Sequence, residues 1–160
     1  MNQDPKAVDL TAFEVGHEAY VVDIMRVKEI LRMQPLIQVR YGPRFVEGVI
    51  NLHGTVVPVI DLRRRFGFSP ADDRRARILV VNVEDRSVGL IVDQVLGVVR
   101  VNKSELQSVP GFTAHDTIPF CLGFCLKNNR SYILLNVKAL LISDEPIDGS
   151  AMHQLIPQPS

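Results

Sequence analysis

Short runs of β-branched and aromatic residues, each ended by a turn signal, dominate this sequence. Residues 49–52 and 56–60 are two such runs, and they are joined by the pair His53-Gly54. Glycine supplies the positive φ that a two-residue hairpin turn requires. The pattern therefore predicts a β-hairpin centred on this pair.

The same pattern continues along the chain and predicts an all-β fold. The further runs are 13–15, 19–22, 78–83, 88–92, 95–101, 120–126 and 132–136. Short strands at this spacing are typical of barrels or sandwiches, and their number suits two barrels of about five strands each. We expect the runs between 78 and 101 to form a three-stranded meander. Helix is scarce, and Asn136 is placed to cap one short helix over residues 137–142.

The composition is that of an ordinary globular protein without a dominant charge. Of the 160 residues 46% are hydrophobic, and 18 basic side chains balance 18 acidic ones. No global field therefore favours nucleic acid or an anionic membrane. No run approaches the length of about 18 apolar residues that a membrane span needs, and residues 1–10 lack the apolar core of a secretory signal. We expect a cytoplasmic protein with one domain over residues 1–142 and a mobile tail over 143–160.

The two cysteines, Cys121 and Cys125, lie four positions apart in a predicted strand. Alternate residues of a strand point to the same face, so both thiols are expected on one face, too far apart for a relaxed disulfide. The chain does not cluster the further ligands that a zinc site needs. We expect reduced thiols that pack as small hydrophobic groups, and neither a metal nor another cofactor.

Six arginines form the only basic concentration: Arg63, Arg64, Arg65, Arg74, Arg75 and Arg77. A small barrel can bind RNA or DNA with such a patch. No aromatic platform for stacking bases accompanies it, and tryptophan is absent. We therefore favour a solvated loop, or a rim that steers an acidic protein partner, over nucleic-acid binding. Asp61 and Asp93 each follow an apolar strand and are expected to cap turns.

Three segments resemble the CheW-type coupling (adaptor) proteins of bacterial chemotaxis. The first covers residues 45–63 and has the sequence FVEGVINLHGTVVPVIDLR. The others are VGLIVDQV at 88–95 and YVVDIMRVKEIL at 20–31. The order and spacing of the family pattern hold from about Phe13 to Leu141, which is most of the chain.

This resemblance implies two five-stranded SH3-like β-barrels packed on a shared hydrophobic interface. They would divide roughly into residues 15–75 and residues 76–142 with the N-terminal strand. The resemblance also implies a function without catalysis, in which the chain couples the cytoplasmic tip of a chemoreceptor to the regulatory domain of a CheA-type histidine kinase. The chain would then be recruited to membrane-associated receptor arrays without inserting into the membrane. A divergent scaffold of a non-flagellar signalling array is the alternative within the family.

Two contact surfaces follow from the resemblance. A receptor-binding groove would comprise Val27, Glu29, Ile30, Gly48, Val49, Asn51, His53 and Val57. A kinase-binding surface would comprise Met25, Val39, Tyr41 and Phe45. His53 stands where the family usually has an arginine that pairs with the glutamate matching Glu29. The resemblance therefore implies a Glu29–His53 contact, made by a shorter side chain that loses its charge near neutral pH.

Some of these groove residues have alternative explanations. Glu29 and His53 resemble an acid/base pair, but the surrounding motif supplies no nucleophile, so we expect a structural or interface role and not an enzyme. Gly48 and Gly89 interrupt apolar runs, where glycine weakens a strand unless something approaches closely. A bulge of the barrel and a receptor helix packed on bare backbone explain these glycines equally well.

Overall fold

The computed structural model describes residues 6–40, 42–70, 73–107 and 120–142. These residues form ten strands and two short α-helices, with 3-10 turns at Ile24–Arg26 and Lys103–Glu105. The strands and helices are β1 (Ala7–Val15), β2 (Glu18–Asp23), β3 (Val27–Arg32), β4 (Val46–Leu52), β5 (Thr55–Asp61), α1 (Leu62–Arg65), β6 (Arg77–Val83), β7 (Arg86–Val92), β8 (Gln94–Asn102), β9 (Cys121–Lys127), β10 (Arg130–Leu135) and α2 (Val137–Ile142). The all-β class and the short C-terminal helix are confirmed, whereas Tyr41 and the predicted tail 143–160 lie outside the described residues.

The strands form two five-stranded sheets, and each sheet closes into a barrel. The central barrel has the order β3-β6-β7-β5-β4, and the terminal barrel has the order β8-β1-β2-β10-β9. In the central barrel, Ile37 follows edge strand β3 and exchanges two main-chain hydrogen bonds of 2.8 Å with Val49 of β4. In the terminal barrel, Gln107 follows β8 and exchanges the same two bonds with Phe124 of β9. The two edges of each sheet are thus tied together.

The division of the strands between the barrels differs from the predicted one. β2 pairs with β1 in the terminal barrel, while β6 and β7 lie in the central barrel. The predicted meander over 78–101 is also wrong, because β7 pairs with β6 on one side and, in parallel, with β5 on the other. Since both edges of β7 are occupied, the chain leaves this sheet at Asp93 and β8 pairs with β1. The central barrel therefore runs from β3 to β7, and both chain ends contribute to the terminal barrel.

Each of the four hairpins in the described part of the chain has a two-residue turn with positive φ at both positions, as in type I′ turns. The turn pairs are Gly16-His17, His53-Gly54, Glu84-Asp85 and Asn128-Asn129. Glycine and asparagine adopt this left-handed conformation readily, whereas glutamate does so against its intrinsic preference. The predicted hairpin at His53-Gly54 is confirmed.

The two barrels repeat one another with their strands in a permuted order. The pairing order of the two sheets matches strand for strand: β3 corresponds to β8, β4 to β9, β5 to β10, β6 to β1 and β7 to β2. The bulges correspond as well, because Lys28 and Leu96 are the extra residues of β3 and β8. Glu47 and Leu122 are likewise the extra residues of β4 and β9. The strand pairs therefore agree position by position, and equivalent residues of the two barrels can be named.

A capped helix follows each of the corresponding strands β5 and β10. Asp61 Oδ1 accepts a hydrogen bond of 3.0 Å from the Arg63 amide at the start of α1. Asn136 Oδ1 accepts one of 3.2 Å from the Ala139 amide at the start of α2. These side chains satisfy amide groups that the first helical turn leaves unpaired, and the predicted capping roles of Asp61 and Asn136 are confirmed.

Buried side chains of the described residues form three hydrophobic clusters. One lies inside the terminal barrel and one inside the central barrel. The largest contains side chains from both barrels and forms the interface between them. At its centre Phe66, which follows α1, packs between Tyr20 and Phe120 of the terminal barrel, with ring centroids 5.4 and 5.2 Å away. The predicted shared hydrophobic interface is confirmed, and its burial from water is the main force that holds the barrels together.

The two cysteines face different clusters, which corrects the predicted common face. Cys121 lies in the cluster shared by both barrels, and Cys125 lies inside the terminal barrel. The bulge at Leu122 adds one residue between them and reverses the alternation of the strand. Both thiols are free and buried, and burial raises the pKa of each. They are protonated hydrophobic groups at neutral pH.

Candidate functional site

The contact expected between Glu29 and His53 is present. His53 Nε2 lies 3.2 Å from Glu29 Oε2 and joins the β4–β5 turn to edge strand β3. The turn is held in shape by Asn51, whose side-chain carbonyl accepts a hydrogen bond of 3.0 Å from the Gly54 amide. The His53 side chain is 79% exposed. The pair thus presents polar groups on the barrel surface, where a partner can reach them.

The eight predicted groove residues all lie in the central barrel, on β3, β4, the β4–β5 turn and β5. Two of them, Gly48 and Val57, are buried, and Val57 packs inside the central barrel. The other six are exposed or partly exposed: Val27, Glu29, Ile30, Val49, Asn51 and His53. These six are accessible at the surface, and among them Ile30 is an exposed apolar side chain.

Both glycines of the apolar runs are explained by packing within the chain. A Cβ at Gly48 would lie 2.7 Å from the Ile37 carbonyl oxygen, where the barrel closes directly after the β4 bulge. A Cβ at Gly89 would lie 3.0 Å from the Ile78 side chain and 3.2 Å from that of Val59. The bulge and close packing account for them, so neither glycine is evidence for a receptor helix on bare backbone.

The predicted kinase-binding residues are spread over separate segments. Met25 lies in the 3-10 turn through which the chain passes from the terminal to the central barrel, and it is 86% exposed. Val39 is exposed in the connection between β3 and β4. Phe45 is partly buried beneath the Arg65 guanidinium, which lies 5.1 Å from the ring centroid. Met25 and Val39 are accessible for protein contact, and Tyr41 lies outside the described residues.

A charged cluster between the barrels was missed by sequence reasoning. Arg63 of α1 is 3% exposed, and its guanidinium donates to Asp61 at 3.0 Å and to Asp73 at 2.7 Å. Asp93 lies 3.9 Å from Arg63 and accepts a hydrogen bond of 2.8 Å from the Gly16 amide of the terminal barrel. Burial alone would lower the pKa of Arg63, but hydrogen bonds to Asp61 and Asp73 raise it above its usual range. The Asp-x-Arg spacing directly after an apolar strand was the available signal.

The six arginines between 63 and 77 are divided between the surface and the interior, with Arg64, Arg74 and Arg75 exposed. Arg63 and Arg65 are buried. Arg64 lies 3.7 Å from Glu47, and Arg77 donates to the main-chain carbonyl of Ala76 at 2.7 Å. Part of this positive charge is therefore paired or buried within the chain, which leaves a smaller basic patch for the nucleic-acid alternative.

Over residues 6–40, 42–70, 73–107 and 120–142, no group of three or more His, Cys, Asp or Glu side chains is placed to hold a metal ion. Within the same ranges, no helix has the length and apolar character of a membrane span.

Known proteins match both barrels of the fold. The family model described as the CheW-like domain matches residues 9–145. The chain is 31% identical over 141 residues to the chemotaxis protein CheW of Treponema pallidum, covering 85% of this chain and 83% of that protein. It is 36% identical over 87 residues to Protein PilI of Pseudomonas aeruginosa, covering 53% of this chain and 48% of that protein.

A solved structure agrees with these relatives. The crystal structure of the scaffolding protein TtCheW from Thermoanaerobacter tengcongensis has a TM-score of 0.77 and 27% sequence identity to this chain. The match covers 88% of this chain and 97% of that one. This chain therefore belongs to the CheW-like domain family, a family of adaptor proteins built from two SH3-like β-barrels.

Proposed function

We propose that this chain is a chemotaxis-type coupling adaptor, which links the cytoplasmic tip of a chemoreceptor to a CheA-type histidine kinase by protein–protein binding. The observation that carries the proposal is the match of both barrels to proteins named chemotaxis protein CheW and scaffolding protein TtCheW. Such an adaptor works in the cytoplasm at membrane-associated receptor arrays. Its function is binding without a catalytic step.

The receptor contact is proposed for the face of the central barrel that carries the six accessible groove residues. Ile30 supplies an exposed apolar anchor on β3, and Val49 is partly exposed on β4. The Glu29–His53 pair supplies hydrogen-bonding groups beside them. An amphipathic receptor helix would lay its apolar stripe on such a surface and place polar side chains against the pair.

The kinase contact is proposed for Met25, Val39, Tyr41 and Phe45. Met25 and Val39 are exposed large hydrophobic side chains, which soluble proteins tend to cover with a partner when they are grouped. Methionine is unbranched and adapts its shape to an incoming surface. The proposal requires that receptor and kinase can bind one adaptor at the same time.

Surface plasmon resonance with immobilised receptor fragment and kinase regulatory domain from the same genome tests this proposal. Ile30→Asp is expected to weaken receptor binding about tenfold or more while leaving kinase binding unchanged, since it removes an apolar anchor. Met25→Asp is expected to show the reverse pattern. Wild-type protein that binds neither fragment would overturn the proposed function.

A matched pair of turn variants tests the role of His53. His53→Gly and Asn128→Gly each replace the first residue of a positive-φ hairpin turn, one in each barrel, with a residue that tolerates this conformation. We expect His53→Gly alone to weaken receptor binding. Equal effects of the two substitutions would show that the His53 side chain makes no specific contribution.

The similarity to Protein PilI supports a second candidate, a scaffold for a signalling array other than the flagellar one. This relative shares 36% identity with 53% of the chain and is not named for chemotaxis. Deleting the gene distinguishes the candidates. Loss of directed swimming is expected for the first, whereas unchanged swimming together with loss of another regulated output would favour the second.

A further inference from the structure

A row of apolar side chains crosses the outside of the central barrel. Ile37 lies opposite Val49, and Val49 lies opposite Pro58. Residues that oppose each other in an antiparallel pair point to the same face of a sheet. Val56 lies two residues before Pro58 on β5 and therefore points to that face as well. Ile37 is 60% exposed and Val56 is 67% exposed, so the row leaves apolar surface open to a partner.

The row lies beside residues of the proposed kinase contact. Val39 follows Ile37 by two positions and is 48% exposed. Phe45 lines a cleft of about 930 Å³, and Val56 and Pro58 line it too. We call Ile37, Val39, Val56 and Pro58 the outer apolar face. A partner can insert one apolar side chain into the cleft while its neighbours cover this face.

The chain around the outer apolar face carries positive charge without matching acidic residues. The stretch from residue 30 to residue 60 contains three arginines and one acidic residue, Glu47. Glu47 lies 3.7 Å from Arg64, which is outside this stretch, so its charge is already matched. The three arginines are exposed, and among the described residues none of them has a carboxylate partner: Arg32, Arg40 and Arg44.

Arginines of the terminal barrel are matched within the chain. Arg100 donates to Asp9 at 2.8 Å, and Arg130 donates to Glu14 at 3.3 Å. Basic and acidic residues are equal in number over the whole chain, so the excess of positive charge around the outer apolar face is local. Such an excess attracts a negatively charged partner and repels a positively charged one.

We propose that the outer apolar face binds an acidic segment of a protein partner, whose apolar side chains cover Ile37 and Val56 while flanking carboxylates pair with Arg40 and Arg44. A guanidinium can donate two parallel hydrogen bonds to one carboxylate, which fixes the orientation of such a segment. A protein fits this face better than nucleic acid does, because none of the four side chains of the face is aromatic and can stack on a base.

The inference deepens the proposed kinase contact and rests on the proposed function for the identity of the partner, the kinase regulatory domain. It adds the chemistry that this domain must present, an acidic rim around an apolar anchor. Val49, in the middle of the row, also belongs to the proposed receptor contact, so the two partners would meet there.

Rates of association between the full chain and the kinase regulatory domain, measured by stopped flow over a range of salt concentrations, test the proposal. Arg44→Glu is expected to lower the association rate constant about tenfold at low salt, because it reverses a charge that steers the partner. The difference from the wild type should largely disappear at about 1 M salt, where the Debye length is only about 3 Å.

The matched control is Arg75→Glu, which makes the same change of net charge. Arg75 is exposed and lies beside the β1–β2 turn of the terminal barrel. It should leave the association rate as in the wild type. Equal effects of Arg44→Glu and Arg75→Glu would show that only the total charge matters and would overturn the inference, while binding by the wild type would leave the proposed function standing.

A second pair of variants tests the apolar part of the contact. Val56→Asp is expected to weaken equilibrium binding of the kinase regulatory domain about tenfold or more, since it removes an apolar anchor and repels carboxylates. Val98→Asp makes the same change at a 59% exposed valine of β8 and should leave binding unchanged. Both side chains are exposed, so circular dichroism should show an intact fold in each.

Two further results would count against the inference. A wild-type chain that binds no kinase regulatory domain even at low salt would overturn it together with the proposed function. Tighter binding of a duplex oligonucleotide than of the kinase domain, with the same dependence on Arg44, would replace the protein partner by nucleic acid.

Discussion

Asp93 and Gly16 are 77 positions apart in the chain, and Asp93 Oδ2 accepts a hydrogen bond of 2.8 Å from the Gly16 amide. The bond ties the crossover before β8 to the β1–β2 turn, and the same carboxylate faces buried Arg63. Asp93→Ala is expected to lower the free energy of unfolding by about 1–3 kcal/mol, because an amide and a buried cation both lose a partner. Urea denaturation with an unchanged m-value measures this loss.

Asp73→Ala is the control for this substitution. It removes a carboxylate 2.7 Å from the same guanidinium, but Asp73 is 62% exposed and lies in the central barrel with Arg63. We expect a smaller loss of stability, since solvent screens the pair. A loss as large as that of Asp93→Ala would contradict a special role of the bond between the barrels.

Asp61 and Asn136 occupy equivalent capping positions, and this makes a second matched pair. Asn136→Ala is expected to cost about 1 kcal/mol, the usual value of a helix cap. Asp61→Ala is expected to cost about 3–5 kcal/mol, because it also removes the buried carboxylate at the end of β5 that pairs with the buried Arg63 guanidinium. Chemical denaturation of both variants measures the difference, and equal losses would show that Asp61 acts only as a cap.

Gly48→Ala tests whether this glycine serves the chain or a partner. The added methyl group would press on the Ile37 carbonyl and open the Ile37–Val49 bridge. We expect a loss of about 1–3 kcal/mol in the isolated protein, as for other overpacked sites. Hydrogen exchange at the Ile37 and Val49 amides should accelerate with it. A variant of unchanged stability that no longer binds receptor would assign Gly48 to the partner instead.

Stability is expected to fall at alkaline pH because of buried acidic protons. Burial raises the pKa of Tyr20 above its ordinary value, and it raises those of Cys121 and Cys125. The folded chain then keeps protons that the unfolded chain releases. Stability is fully present below the unfolded pKa values and decreases as pH rises from about 9 upward. Urea midpoints measured between neutral and strongly alkaline pH should show this decline.

Tyr20→Phe isolates the contribution of the tyrosine. The Tyr20 hydroxyl has no hydrogen-bond partner among the described residues, so its removal should cost little stability at neutral pH. Above about pH 10 the variant should lose less stability than the wild type, since it has no phenol to ionise. Parallel pH profiles of the two proteins would contradict the assignment.

Features that depend on neighbouring residues could be predicted from the sequence. The His53-Gly54 turn and the Asn136 cap are local, because the residues that form them lie within a few positions of each other. The contact between Glu29 and His53 joins distant residues, and it followed from the family resemblance alone.

Features that depend on distant strands could not be predicted in this way. The run 88–92 indicates that a strand forms, but it does not indicate which strands pair with it. Because β5 occupies the second edge of this strand, the predicted meander was wrong. The bulge at Leu122 is defined by the register between β9 and β10, so the face of β9 on which Cys125 lies could not be predicted either. Arg63 has the sequence context of a surface residue, and only the folded positions of Asp61 and Asp73 make its burial favourable.

The permuted repeat of the two barrels has a consequence for biosynthesis. The strands of the central barrel are consecutive, so this barrel can close as soon as β7 has left the ribosome. The β1–β2 hairpin is made first, yet its partners β8, β9 and β10 are made last. The terminal barrel must therefore close by joining the two ends of the chain, a non-local and slow step. Until Leu135 emerges, the apolar side of the central barrel that packs on the terminal barrel stays exposed to water. We therefore expect chaperones to recognise nascent chains that end between β7 and Leu135.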